Sequence, residues 1–208
     1  MMRNVRWFVI GVLTACAAGL AGVAFLVFPQ AGGFSARQQP TLVERVVARW
    51  LRSAALPANA KAQVNPVPDT PAVLADARAH WADHCASCHA NDGSGDTEMG
   101  KHLYPPAPDM RAPETQQMTD GELFFIIQNG VRLTGMPAWG SGTGHDAEDS
   151  WKLVRFIRHL PRLTFEEKKE MEKLNPKGPE DLKEEEDEEK FLKGEDVSEP
   201  QNEHHHHH

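Results

Sequence analysis

The sequence predicts an all-α protein, an apolar N-terminal helix followed by a small helical domain. Three observations carry this. Residues 7–28 form a run of about 22 residues without a charge, where a membrane-spanning helix needs about 20. Further on, helix start and stop signals bracket segments whose apolar residues recur at helical spacing. No segment shows a convincing apolar–polar alternation of the kind a half-buried strand requires.

The first element is read as a membrane anchor, residues 1–28. Arg3 and Arg6 precede the apolar run, and no charge follows it until Arg37. The excess of positive charge on the N-terminal side predicts a cytoplasmic N-terminus, with everything after Phe28 on the outer face. Two other readings stay open. A cleaved signal peptide has a shorter apolar core and a small-residue cleavage site, which Phe25-Leu26-Val27-Phe28 fits poorly. Leu13-Thr14-Ala15-Cys16 resembles a lipobox, which would make Cys16 a lipidated N-terminus. The run continues to spanning length past Cys16, which favours the uncleaved helix.

Residues 29–69 connect anchor and domain. Gln30-Ala31-Gly32-Gly33 is expected to break the first helix. From Thr41 to Leu56, Leu42, Val43, Val46, Val47, Trp50 and Leu51 fall at helical spacing, with Arg45, Arg49 and Arg52 between them. Such a helix lies on a membrane or against a partner subunit, or it packs on the domain. Pro57, Pro66, Pro68 and Pro71 make the rest an extended spacer.

The domain is expected over residues 70–162. Thr70 is an N-cap with Pro71 at the first helical position, and that helix carries Leu74, Ala77 and Trp81 toward the cysteines. Thr119 and Glu122 form a capping box ahead of Leu123-Phe124-Phe125-Ile126-Ile127, and Asn129-Gly130 closes the helix. Asp146 is expected to cap a third helix with Trp151, Val154, Phe156 and Ile157, stopped by Pro161. Residues 91–118, rich in Gly and Pro, read as loop. Residues 163–208 hold a charged helix with a Thr164/Glu167 capping box, a solvated acidic run over Lys183–Lys190, and five terminal histidines.

The formal net charge of -8 argues against nucleic-acid binding, which needs a basic footprint. Three cysteines do not make a disulfide framework. Two of them stand in Cys85-Ala86-Ser87-Cys88-His89, the C-x-x-C-H pattern of haem attachment. The spacing has a physical reason. Residues three apart on a helix share a face, so both thiols can reach the two vinyl groups of one haem. His89 is then tethered beside the iron as a ligand. A covalent group would also staple a domain whose own core is small. A zinc site needs four ligands, and no second C-x-x-C exists. A thioredoxin-like pair needs a βαβ context, which is missing.

A second axial ligand is expected from a methionine. After His89 the candidates are Met99, Met110, Met118, Met136 and Met171. Met136 in Gly135-Met136-Pro137-Ala138-Trp139-Gly140 stands out. It falls in a loop between two helices, and Pro137 stiffens its backbone. A soft thioether donor gains from such a frame.

These motifs together make residues 70–162 resemble a class I monohaem cytochrome c domain, akin to the c6 and cbb3-oxidase-subunit type. The matching pieces are the Cys85–His89 motif, Asp120-Gly121-Glu122-Leu123, Asn129-Gly130, Met136-Pro137-Ala138-Trp139, and the helix ending Phe156-Ile157-Arg158-His159-Leu160-Pro161. The resemblance covers under half the chain. It implies a cytochrome c fold with one covalent haem c, held by Cys85, Cys88, His89 and Met136. It implies that the N-terminal helix crosses the C-terminal one, placing Trp81 near Trp151 or Phe156. It also implies a proline carbonyl that accepts from the proximal histidine Nδ1–H, and Pro108 in Pro108-Asp109-Met110 is the candidate.

Other features are less specific. Tyr104-Pro105-Pro106-Ala107-Pro108 reads as a haem-edge wall or simply a stiff loop. Arg111 and Arg132 are either propionate partners or exposed cations. His204–His208 is either a purification tag remnant or a native tract that binds copper, nickel or zinc. The expected function is single-electron transfer on the outer face of a bacterial cytoplasmic membrane, with redox proteins as partners. The chain would then be a mobile carrier or a subunit of a larger respiratory-type oxidoreductase complex, and not itself an enzyme. A haem enzyme or gas sensor with a labile sixth ligand, and metal handling by the histidine tail, are the alternatives.

Overall fold

A computed structural model of the chain describes residues 2–27, 35–142 and 144–193. Among these residues the structure is all helix and loop, with no strand. Helix α1 spans Met2–Val27, and its Val5–Ala24 stretch is long and apolar enough to cross a membrane. The expected helix breaker at Gln30–Gly33 and the tail at His204–His208 lie outside the described residues.

Helix α2 spans Leu42–Ala55 and starts with a capping box, in which Thr41 and Glu44 bond each other's backbone N–H. The segment after it is no free spacer. The short helix α3, Ala58–Lys61, lies so close to the first turn of helix α8, Asp120–Asn129, that a Cβ on Gly121 would collide with the Ala60 carbonyl. Asn65 is buried and donates to the Trp151 carbonyl at 2.9 Å. Arg155 grips the Val67 carbonyl through Nε at 2.9 Å and a terminal nitrogen at 2.7 Å. Prolines set the backbone extended, and side chains from the domain then hold it down.

Three helices frame the core. They are α4 (Pro71–His80), α8 (Asp120–Asn129) and α9 (Gly144–His159). Thr70 caps α4 by accepting from the Val73 N–H, and the Thr119/Glu122 capping box starts α8 as expected. α9 begins two residues before the expected cap. Gly144 opens it, and the Asp146 carboxylate sits in its first turn, accepting from the Ser141 N–H at 3.0 Å. Asp146 therefore lies inside the helix and ties the preceding loop to α9. Pro161 ends α9 as expected, because its ring cannot continue the hydrogen-bond ladder. The chain passes through a single 3₁₀ turn, Leu160–Arg162.

α4 packs on α9, and α9 on α8. Trp81, Val154, Phe156 and Ile157 are almost wholly buried where α4 runs on past its end against α9. The Trp81 and Phe156 rings lie 5.6 Å apart, which is the expected crossing. Phe124 stacks on Trp151 at 4.0 Å and closes the α8–α9 seam. Each large side chain buried here contributes on the order of 1.5–3 kcal/mol by leaving water.

The stretch read as loop contains two short helices, α6 (Glu98–His102) and α7 (Pro113–Gln116), started by Thr97 and by Pro113. Beyond residue 162, α10 (Phe165–Glu172) carries its Thr164/Glu167 capping box and inserts Met171, fully buried, into the same core as Trp81 and Phe156. The acidic run forms an exposed helix, α11, over Pro179–Leu192.

Candidate functional site

α4 does not end cleanly before the cysteines. At Trp81–Cys85 it widens into a single π turn, closed by the Ala86 N–H donating to the Trp81 carbonyl. A one-turn α-helix, α5, then covers Ala86–His89. Inserted π turns re-aim the residues that follow them, and they cluster at functional sites. Cys85, Cys88 and His89 sit on this re-aimed stretch. The structure thus gathers three of the expected site residues on one rigid segment.

The end of α5 leaves carbonyls that need donors. The Ala90 N–H serves Ala86, the Thr97 hydroxyl serves Ser87 at 2.8 Å, and the Gly95 N–H serves His89 at 2.9 Å. Ala90 turns the chain away at φ 61°, and the Trp81 indole donates to its carbonyl at 3.0 Å. Gly100 allows α6 to press on the Cys88 carbonyl, where any Cβ would collide. These contacts fix the peptide planes around the two thiols.

The chemistry of the thiols discriminates between their possible uses. Neither forms a disulfide. Burial, reinforced by the neighbouring Cys88, pushes the Cys85 thiol up to about 12. A reactive redox cysteine needs the opposite shift. Among the described residues, no group of three or more His, Cys, Asp or Glu side chains is arranged to hold a metal ion. The setting suits sulfur that stays neutral, as a thioether does.

His89 is only 8% exposed, and its ring lies 5.8 Å from Trp81. Burial holds its pKa below the ordinary value, and the Pro108 carbonyl pulls it partly back. The ring is therefore neutral near pH 7, the form that can donate a lone pair to a metal. Nδ1 is sealed from solvent and closes no hydrogen bond of ordinary geometry. The Pro108 carbonyl is close enough to act on the ring without completing that bond. Pro108 itself is exposed, on a loop held by the Met110 N–H to Gly93 carbonyl bond at 2.7 Å.

Met136 is half-buried on a separate loop. The Val131 N–H donates to its carbonyl at 3.1 Å, and its own N–H donates to Thr134 Oγ1 at 3.1 Å. The Trp139 and Gly140 N–H groups reach back to the Ile127 and Gln128 carbonyls, the open C-terminal acceptors of α8. Gly130 ends α8 at φ +66°, and a Cβ there would meet the Pro137 carbonyl carbon at 2.6 Å. The loop's far end touches the cysteine segment, where Trp139 lies 5.6 Å from the His84 ring.

Arg111 is already engaged, bonding Asp109 at 2.9 Å and Asp92 at 2.8 Å. Its charge serves to close the 92–111 loop. Arg132 is exposed. Cys16 is exposed on α1, away from the other two cysteines in sequence and element. The π turn, Thr97 and the Trp81–His89 ring contact had no signal of their own in the sequence. The Gly93-Ser94-Gly95 turn and Gly100 were the visible hints of a tight loop.

A haem's requirements match these residues. There are two thiols three residues apart, a buried neutral imidazole beside them, and a pinned loop carrying a thioether. A family model described as Cytochrome C oxidase, cbb3-type, subunit III matches residues 72–157. No curated protein matches the chain.

Proposed function

We propose, from the premise that residues 72–157 are a class I c-type cytochrome domain taking part in electron transfer, that this chain holds one haem c covalently and shuttles single electrons from a membrane tether. Bound there, the haem supplies an iron couple that gains and loses one electron, at a potential set by axial ligation and burial. Cys85 and Cys88 hold it as thioethers. His89 supplies the proximal imidazole, kept neutral by burial. The Pro108 carbonyl orients that ring and strengthens it as a donor. Met136, on the loop pinned to α8, would hold the iron from the other side of the site. Trp81 walls off the His89 side and limits water access to it.

The observation that carries this reading is the placement of Cys85, Cys88 and the buried His89 along the π turn and the one-turn α5 that follows it, with Met136 on a loop pinned to the end of α8. α1 is the tether, with the haem domain on the periplasmic side because Arg3 and Arg6 precede the apolar run. A tether raises the effective concentration of the domain near membrane-bound donors and acceptors. The partners are redox proteins of that membrane, met either as a mobile carrier or inside a respiratory-type oxidoreductase complex. Gel filtration of gently solubilised membranes separates these two, since a large co-migrating assembly identifies the subunit.

The test is the absorption spectrum of the purified protein, oxidised and reduced. The expected spectrum is low-spin and c-type, with the weak far-red methionine–iron band when oxidised. Haem lost on acid–organic extraction would contradict covalent attachment. A high-spin oxidised spectrum, or rapid carbon monoxide binding by the reduced protein, would replace Met136 with an open site and turn the reading toward a haem enzyme or sensor.

A further inference from the structure

α2 has two unlike faces. Glu44, Arg49 and Ser53 meet the domain. Tyr104 Oη donates to Glu44 at 3.0 Å, Arg49 pairs with Glu114 at 3.4 Å, and Lys61 Nζ donates to the Ser53 carbonyl at 3.0 Å. Leu56, immediately after the helix, is buried. The arc between Arg49 and Glu44 carries Leu42, Val43, Val46, Val47, Trp50 and Leu51, all exposed, with Trp50 at 68%. No residue of α2 is buried. The domain therefore holds this helix by its polar side and turns its apolar side outward.

We infer that the apolar face of α2 lies in the headgroup–acyl boundary of the membrane that α1 spans, as an in-plane helix that seats the haem domain on the bilayer. This rests on α1 being the anchor. Two further observations choose lipid over protein. First, α1 ends at Val27 and α2 begins at Leu42, so 14 residues join them. Even fully extended, a link of that length reaches at most about 50 Å, which bounds how far α2 can lie from the surface α1 leaves. Second, the charge fits. The chain as a whole has a net charge of -8, yet α2 carries Arg45, Arg49 and Arg52 against Glu44 alone; Arg49 pairs with Glu114 and Arg52 is half-buried, so the exposed Arg45 is the cation best placed for the headgroups. A cationic amphipathic helix with an exposed Trp is suited to the surface of an anionic bilayer. Through Tyr104 and Glu114 the seated helix would fix the side of the domain that carries the Pro108 loop relative to the membrane.

The test uses the full-length holoprotein with Cys16→Ser, reconstituted in phosphatidylcholine–phosphatidylglycerol vesicles. Some of the lipid carries a photoactivatable acyl chain. Single cysteines are placed at Val46, Trp50, Ala48 and, as anchor control, Leu13. Reaction with a water-soluble maleimide and mapping of lipid cross-links by mass spectrometry are the readouts. The expected result is several-fold slower labelling at Val46→Cys and Trp50→Cys than at Ala48→Cys, with lipid cross-links within residues 42–55. Fast labelling at all three α2 positions, with Leu13→Cys protected and cross-linked, overturns the seat while leaving the anchor standing. Protection at Val46 and Trp50 without lipid cross-links means that protein, such as a second copy, covers the face, and this also overturns it. Fast labelling at Leu13→Cys overturns the anchor itself. Trp50→Glu with an unchanged haem spectrum should lose the α2 cross-links, and their persistence would count against the apolar face as the contact.

Discussion

The two sides of the candidate haem site are built on different principles. His89 sits on a segment continuous with α4, sealed by Trp81 and satisfied at each nearby carbonyl. Met136 sits on a half-buried loop whose neighbours Leu133 and Trp139 are exposed, and main-chain bonds to the end of α8 hold it in place. One side relies on packing, the other on backbone geometry. In the proposed haem site, a nitrogen donor tethered through two thioethers would need little more than orientation. A soft thioether needs a loop that cannot drift.

That contrast predicts unequal responses to damage. His89→Ala should abolish the low-spin spectrum altogether, because it removes the proximal ligand and opens a hole beside Trp81. Absorption and thermal unfolding of the oxidised protein test it, and a mutant that stays low-spin would mean another side chain takes the site. Truncating the packed side should follow in size. Phe156→Ala and Met171→Ala are each expected to cost about 2–5 kcal/mol, the range for large buried side chains, measured by denaturant unfolding. The Met171 result matters more, since Met171 lies beyond the matched residues 72–157. A cost below about 1 kcal/mol would show that α10 is dispensable to the core.

On the loop side, Gly130→Ala should be more informative than its size suggests. It forces a Cβ into the Pro137 carbonyl carbon at a positive φ, at a cost of about 1–3 kcal/mol. It should also weaken the far-red band without touching a ligand. Met136→Ala inverts this pattern. Its stability should fall by less than that of the core variants, while the band disappears and the reduction potential drops. A Met136→Ala protein that keeps the band moves the ligand to Met99, Met110 or Met118.

The difference between the two sides also explains what the sequence could disclose. The caps at Thr70, Thr119 and Thr164, and the helix ends at Gly130 and Pro161, were legible because local hydrogen bonds and fixed φ values decide them. The Trp81–Phe156 crossing followed from the resemblance. The early start of α9 was not legible, because Asp146, the residue expected to cap it, lies inside its first turn and accepts from the Ser141 N–H. The held-down segment before residue 70 was hidden for a similar reason. Its grip comes from Arg155 and from the Trp151 carbonyl, 86 or more positions away, and proline content says nothing of either. The π turn depends on how the Trp81 backbone meets the core, which no spacing rule records.

The smallest expected effect lies where α10 joins the packed side. Glu167 accepts from the Thr164 N–H at 2.8 Å, contacts His159 Nε2 at 2.9 Å and pairs with Arg78 at 3.2 Å. Partial burial works to raise its pKa. The Thr164 backbone bond, His159 and the Thr164 hydroxyl outweigh that and hold it below its ordinary value of 4.5. A carboxylate whose folded pKa is depressed stabilises the fold above its unfolded pKa, and that contribution is lost as pH falls through the folded value. Docking of α10 should therefore be undiminished above about pH 4.5 and weaken below it. Glu167→Gln should lower the unfolding midpoint slightly at neutral pH and flatten its acid limb. An acid limb identical to wild type would mean that the Glu167 contacts add nothing to the docking of α10, leaving it to Met171 and the Arg78–Glu170 pair.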